Sequence, residues 1–335
     1  MNNIWTRKNP HNPLLVLSPM AGYTDSAFRI LCKGYGADVV MTELVSADAI
    51  AYGKFKVHKV GKVHKVEGKN HSTAELLSFY DDERPIVVQL FGKYPEKFAY
   101  AAKWVVENLK PDGIDINMGC PARKVIGSDH GAALLKNPDL ACEIVRAVRA
   151  EISIPLSVKT RLGWENDNEI LDFAPRLAEA GADAIIIHGR TYKDGFKNIA
   201  RWENIYQIKD QISKIKNKEV SIIGNGDISN YDEAIKRSES GGIKLDGVAI
   251  GRATFGKPWI FSAELAVNSL KPTALILKHA KLVYETKGDH GIIEFRKHLL
   301  AYLRGFQNAK EMRKQAASIK SIRDIEKIIN MIKND

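Results

Sequence analysis

Cys120 is the residue of this chain whose setting most suggests chemistry. It lies in the run Asn117-Met118-Gly119-Cys120-Pro121, directly after a short apolar stretch. Pro121 has no backbone N–H and discourages simple continuation into a helix, so the thiol belongs to a turn. An ordinary thiol titrates near ~8.5 and stays mostly protonated at neutral pH, which suits a proton donor. No CxxC partner accompanies it, so dithiol exchange is not expected. A structural turn cysteine is the competing reading. Cys32 in SAFRILCK and Cys142 in DLACEIVR fall in helical patterns and read as small buried hydrophobes.

Other candidates follow short apolar runs in the same way. They are Pro19-Met20-Ala21, Gln89, Asn117, Lys159 with Arg161, His188 with Arg190, Asn225-Gly226-Asp227, and Gly251-Arg252. Gly226 and Gly251 would let backbone N–H groups approach a phosphate, with Arg252 as counter-charge. Gln89 and Asn117 offer amide donors and acceptors to the edge of a heterocycle. Lys159 could hold negative charge on a reduced flavin ring. The Pro19-Met20-Ala21 turn would let backbone pack against a flat ring. Taken singly, a lysine at a strand end is commonly a surface residue and a methionine commonly core. Together they are the types that a flat, phosphorylated cofactor requires.

The elements that must position them are legible as eight short Val/Ile/Leu-rich runs. They occupy 14–18, 38–43, 86–91, 113–117, 155–159, 183–188, 220–224 and 246–251. Runs of this kind read as strands of a parallel sheet buried on both faces. Amphipathic segments such as 96–109 and 139–150 separate them, and the Gly36-Ala37 and Gly181-Ala182 pairs look like helix C-caps. Eight such units over about 255 residues match an α/β fold of the (β/α)8 TIM-barrel type, whose sites lie at the C-terminal ends of the strands. An open doubly wound sheet is the competitor, but no GxGxxG follows the first run. These readings divide the chain into a barrel over 1–258 and a small all-helical domain over 259–335.

Composition narrows the class. Hydrophobic residues are 44% and charged residues 27% of 335, near the globular mean, which excludes disordered and collagen-like chains. Three cysteines make no disulfide framework and fit a reducing cytoplasm. The opening MNNIWTRKNPHNP has no apolar signal core, and no run approaches the ~20 apolar residues of a membrane span. The expectation is a soluble cytoplasmic protein with no membrane association and no obligate protein partner. The net charge of +10 is unevenly spread. Residues 259–335 carry about +6 and 54–69 about +5, a segregation suited to a polyanion such as nucleic acid. Solvated helix faces are the plainer explanation. The 54–69 segment, KFKVHKVGKVHKVEGK, reads either as a loop or hairpin turning at Gly61, or as a basic arm for a phosphate backbone. His58, His64 and His71 match no metal-ligand spacing, so no metal is expected.

Taken in order, SPMAGYTD (18–25), MTE (41–43), QLFG (89–92), DINMGCPARKV (115–125), SVKTRLGW (157–164), IHGRT (187–191), GNGDI (224–228) and GVAIGRATFGKPWIF (247–261) closely resemble the tRNA-dihydrouridine synthases. The likeness spans about residues 14–310 and has the look of the bacterial B-type branch. It implies FMN-dependent reduction of selected uridines in tRNA, with NADPH re-reducing the flavin. Pro19, Met20 and Ala21 then resemble the flavin-packing turn, and Gln89, Lys159 and His188 the ring contacts. Asn225, Gly226, Asp227, Gly251 and Arg252 resemble the ribityl-phosphate grip, and Cys120 the acid that protonates the uracil. Asn117, Arg123, Lys124, Arg161 and Arg190 are the implied substrate contacts. The chain departs from the family pattern at Asp129-His130, where small residues are usual, and in the 54–69 insert. Three rival readings are a dihydroorotate-dehydrogenase-like flavoenzyme, a flavin-free phosphate-binding barrel using Lys159, and a non-catalytic RNA-binding protein. Turnover of a free pyrimidine, a colourless active protein, and tRNA binding without NADPH oxidation would favour them respectively.

Overall fold

The computed structural model describes residues 3–6, 12–215, 219–263 and 272–333. Each of the eight apolar runs forms a strand: β1 (Leu14–Leu17), β2 (Val39–Met41), β3 (Ile86–Phe91), β4 (Gly113–Asn117), β5 (Leu156–Arg161), β6 (Ala184–His188), β7 (Ser221–Asn225) and β8 (Gly247–Ile250). Every neighbouring pair among them is parallel, and β1 pairs with both β8 and β2, so the sheet closes on itself. Closure removes the edges that an open sheet would expose and decides against the doubly wound alternative. Its lumen is packed by Val16, Met41, Val87, Ile186, Ile223 and Ala249, with Trp5 fully buried at one end. The interior is therefore a core and not a channel.

The barrel's outer layer includes α1 (Ser26–Gly34), α2 (Pro95–Leu109), α3 (Pro138–Glu151), α4 (Glu169–Ala180), α5 (Glu203–Ser213) and α6 (Tyr231–Arg237). Local sequence starts and stops them. Asp25 caps α1 by accepting from the Phe28 N–H, Asn137 caps α3 by accepting from Leu140, and Pro95 and Pro138 open their helices. Gly181 ends α4 at φ 120, a conformation that an L side chain rarely adopts. Cys32 and Cys142 are buried on α1 and α3, and all three cysteines are free.

The 54–69 segment is a hairpin. Its strands Phe55–Val60 and Val63–Gly68 pair antiparallel with Val60 opposite Val63, and Gly61 turns at φ 58. Valines 57 and 66 face inward while Lys56, Lys59, Lys62 and Lys65 are exposed. His64 is buried, hydrogen-bonded to Asp81 at 2.8 Å and stacked on Phe79. Among the described residues, His58, His64 and His71 form no metal-binding group.

After the barrel the chain is helical: α7 (Pro272–Tyr302, broken at Gly288), α8 (Ala309–Ala316) and α9 (Ile322–Lys333). Their apolar faces make a second core that includes Ala27 and Leu31 of α1. No helix among the described residues is long and apolar enough to cross a membrane.

Candidate active site

Strand register gathers the residues singled out in the sequence at one end of the barrel. Asn117 is opposite Lys159, and Arg161, His188, Asn225 and Ala249 form one row across β5 to β8. One layer deeper, Gln89, Asp115 and Ser157 are register partners. Parallel pairing at common register turns eight separate strand ends into one concave surface.

The deep layer is a hydrogen-bonded chain. Ser157 Oγ donates to Asp115 Oδ1 at 2.6 Å, Gln89 Nε2 donates to Asp115 Oδ2 at 2.7 Å, and Asn117 Nδ2 donates to Gln89 Oε1 at 2.9 Å. The carboxylate thus fixes which way round the Gln89 amide sits. Sequence reasoning passed over Asp115 and Ser157. A charged residue in the middle of a run expected to be buried on both faces was the available signal. Burial drives the Asp115 carboxyl up to about 7, against the opposing pull of Ser157, Gln89 and Lys159. Its ordinary value is 3.8. The unfolded chain therefore loses this proton first as pH rises, and a contribution that favours folding in acid is lost by about pH 7. Asp115→Asn keeps an acceptor for Gln89 without the titration. Urea unfolding is expected to show wild type losing stability relative to Asp115→Asn between about pH 4 and 7, then a plateau. Parallel pH profiles would show that Asp115 is ionised throughout.

Cys120 is partly exposed at the end of β4. Its N–H donates to Asn117 Oδ1 at 2.9 Å, and its carbonyl accepts from Ala132 at 3.2 Å, so the turn is tied on both sides. Burial raises the thiol above its ordinary value; the Ala122 backbone, Arg161 and Lys159 only partly offset this. The thiol is accordingly a proton carrier at neutral pH. Lys159 is ringed by barrel atoms and drops to about 8 through burial and the nearby Arg161. Its Nζ donates to Asn225 Oδ1 at 3.2 Å, and Asn225 Nδ2 donates in turn to the Ala249 carbonyl at 2.6 Å.

On the other side, Arg190 NH1 lies 3.2 Å from His188 Nε2. Arginine only donates, so Nε2 carries the lone pair and Nδ1 the proton. Burial first, then Arg161, Lys159, Arg190 and Arg252, keep this ring neutral. Gly226 (φ 128) and Asp227 (φ 53) turn the chain sharply after β7. A Cβ on Gly226 would fall 2.7 Å from the Ala200 side chain, so only glycine fits. Met20 Sδ is 3.5 Å from where a Cβ of Gly251 would lie, which brings the β1 and β8 ends together. The Pro19–Ala21 turn is closed by the Tyr23 and Thr24 N–H groups donating to the Met20 carbonyl at 2.9 and 3.0 Å.

Two of the expected substrate contacts, Arg161 and Arg190, lie inside the mouth and not on its outer surface. Arg161 is 2% exposed and Arg190 3%. Arg161 donates to the carbonyls of Gly119, Thr191 and Gly195, and Arg190 donates to both Asp227 oxygens at 2.7 Å. Arg190 has a partner at each guanidinium nitrogen, and Arg161 has partners at Nε and NH1, so both brace the loops of the mouth. Burial disfavours the Asp227 charge, but the Arg190 and Ala200 hydrogen bonds hold its carboxyl below the ordinary value. Its side chain is thus engaged with Arg190 and, at 3.7 Å, with Arg252, leaving the backbone and the exposed side of Arg252 for an anion. Arg123 and Lys124 are exposed on the short helix Arg123–Ile126 beyond Cys120. Asp129 holds φ 61, a conformation tolerated by short polar residues, and pairs with Lys93 at 3.1 Å.

The donor set suits a flat phosphorylated cofactor. A glycine turn and a half-exposed Arg252 lie at one side, and Gln89, Asn117 and Lys159 at the other. Solved structures with the same barrel include a 2-naphthoyl-CoA reductase complex (TM-score 0.52, 12% identity, 74% of this chain and 49% of that one). Another is histamine dehydrogenase from Rhizobium sp. 4-9 (TM-score 0.53, 14% identity, 89% and 51%). This chain spans about half of each, and the likeness is one of fold. Sequence relatives reach further. A probable tRNA-dihydrouridine synthase of Aquifex aeolicus is 32% identical over 95% of this chain and 96% of its own length. The tRNA-dihydrouridine synthase B of Pseudomonas aeruginosa is 36% identical over 90% and 87%. The family model for dihydrouridine synthase (Dus) matches residues 16–334, and the chain belongs to that family of enzymes.

Proposed function

We propose that the protein reduces selected uridines of tRNA to 5,6-dihydrouridine, with FMN as cofactor and NADPH as reductant. Family membership together with a protonated Cys120 among the gathered strand ends carries this reading. The Gly226-Asp227 backbone, Gly251 and Arg252 would hold the phosphate. Asn225 would join them at the ribityl chain, while Lys159, Gln89 and His188 would line the ring, with Pro19, Met20 and Ala21 behind it. The bound flavin would supply hydride to uracil C6, which leaves carbanion character at C5. Cys120 Sγ holds the proton that C5 needs, acting as general acid. Asn117 anchors the Cys120 turn and would present its amide to the pyrimidine edge. The base must leave its stack to enter, at a cost of a few kcal/mol that is least in an already unstacked loop. Purified protein reconstituted with FMN is expected to absorb near ~450 nm and, given NADPH, to form dihydrouridine in unmodified tRNA. A colourless protein that leaves the tRNA unchanged would reject the proposal.

Arg123 and Lys124 at the mouth and the basic helical domain over 259–335 would grip the tRNA through phosphates. On this reading the protein lies with its tRNA substrate in the cytoplasm. Lys310, Arg313 and Lys314 are exposed on α8. Replacing all three with serine is expected to weaken tRNA binding. It should also flatten the plot of log affinity against log salt by roughly 0.7–0.9 for each phosphate that is no longer neutralised. Filter-binding titrations across a salt series measure this, and an unchanged slope would make that charge incidental.

A further inference from the structure

Asp25, His279 and His298 meet where the barrel adjoins the helical domain, and the activity above uses none of them. All three are buried, at 5%, 0% and 1% exposure. One potential ligand atom from each lies within 4.8 Å of the other two. His279 Nε2 and both ring nitrogens of His298 have no hydrogen-bond partner. Orphaned buried polar atoms cost about 1–3 kcal/mol apiece, and one such nitrogen from each histidine can converge with the Asp25 carboxylate. Each histidine also has a group beside it suited to orient it. Tyr302 Oη is 3.0 Å from His279 Nδ1, which leaves Nε2 as the lone-pair nitrogen when Nδ1 carries the proton. The Tyr23 backbone approaches the His298 ring without completing a hydrogen bond. A hydroxyl or carbonyl behind each ring is the usual support of a ligating histidine.

We propose that Asp25, His279 and His298 bind one divalent transition-metal ion, Zn2+ by donor type, which ties the barrel to both arms of α7. Two imidazoles and a carboxylate are a familiar borderline-soft ligand set, with a fourth position left for water. A tetrahedron with ~2.1 Å bonds has edges of roughly 3.4 Å, so the three side chains close in by about an ångström or less each. Asp25 belongs to the loop after β1, His279 precedes the Gly288 break and His298 follows it. The ion would therefore join three separate chain segments. Lys287 stands 3.6 Å from Asp25, but its charge is shared with Glu75 at 2.6 Å and Glu294 at 2.7 Å. Lys297 also acts on both histidines, so around the site three carboxylates (Asp25, Glu75, Glu294) face two lysines (Lys287, Lys297). Such a site is structural and independent of the reaction proposed above.

The full-length protein is stripped with a chelator, then titrated with Zn2+ by calorimetry, with metal content measured after desalting. About one ion per chain and a melting temperature raised by the metal are expected. Asp25→Asn preserves the helix cap while removing the charge, and should lower the affinity at least tenfold. Tyr302→Phe, which only removes the support for His279, should lower it by about 10–100-fold. Absence of stoichiometric binding to the wild type would overturn the proposal. So would binding that is unchanged in both variants, because the ion would then lie elsewhere.

Discussion

Cys120→Ala is expected to keep bound flavin and tRNA affinity while losing dihydrouridine formation by roughly 100- to 10,000-fold, the range for a general acid. The reason is local. The thiol is partly exposed at the mouth, burial keeps its proton on, and the Asn117 amide and Ala132 N–H hold its turn in place. Removing one sulfur leaves these backbone contacts intact, so the flavin wall should not move. Cys120→Ser should be nearly as slow, because a hydroxyl is a far weaker acid than a thiol. Single-turnover experiments with pre-reduced enzyme separate the proton step from re-reduction. Wild-type single-turnover rates in Cys120→Ala would remove the acid assignment while leaving the reaction itself standing.

Glu83→Ala is expected to destabilise the fold by about 3–5 kcal/mol, the usual cost of stranding a buried charge. For a chain of this size that is roughly 4–7 °C in melting temperature. Glu83 is fully buried, and its carboxylate accepts from Arg29 Nε, Ser26 Oγ and the Tyr80 N–H. Arg29 is 2% exposed and also donates to the carbonyls of Thr24 at 2.7 Å and Ser78 at 3.3 Å. This pair fastens α1, and with it the turn carrying Pro19 and Met20, to the segment that leads into β3. The double variant Arg29→Met/Glu83→Ala should recover only part of the loss, since the Thr24 and Ser78 carbonyls lose their donor. A double-mutant cycle read by thermal unfolding measures the coupling. A single-variant change below ~1 kcal/mol would show that water relieves the stranded arginine.

The barrel was legible because its signals are local. Short branched-aliphatic runs, proline helix starts and glycine stops each act within a few residues, and all eight strands fall where the runs predicted them. The hairpin at Gly61 was legible for the same reason, from alternation about a single glycine. The polar residues at strand ends could be picked out because parallel strands put their loops on one side. Arg161 and Arg190 show the limit of that reasoning. Position marked them as mouth residues, whereas their hydrogen bonds to distant carbonyls and to Asp227 turn them inward. No spacing rule encodes such partners.

By itself, then, the sequence determined the strand–helix repeat, the family, the turn that presents Cys120 and the segregation of positive charge. Tertiary structure alone decided which side chains share a layer: Asp115 under Gln89, Arg190 against Asp227, Glu83 against Arg29, and Asp25 beside two histidines from the far end of the chain. The division follows from range. Backbone preference and hydrophobic period are properties of a short window, but burial and hydrogen bonding depend on what the closed barrel and its packed helices bring together.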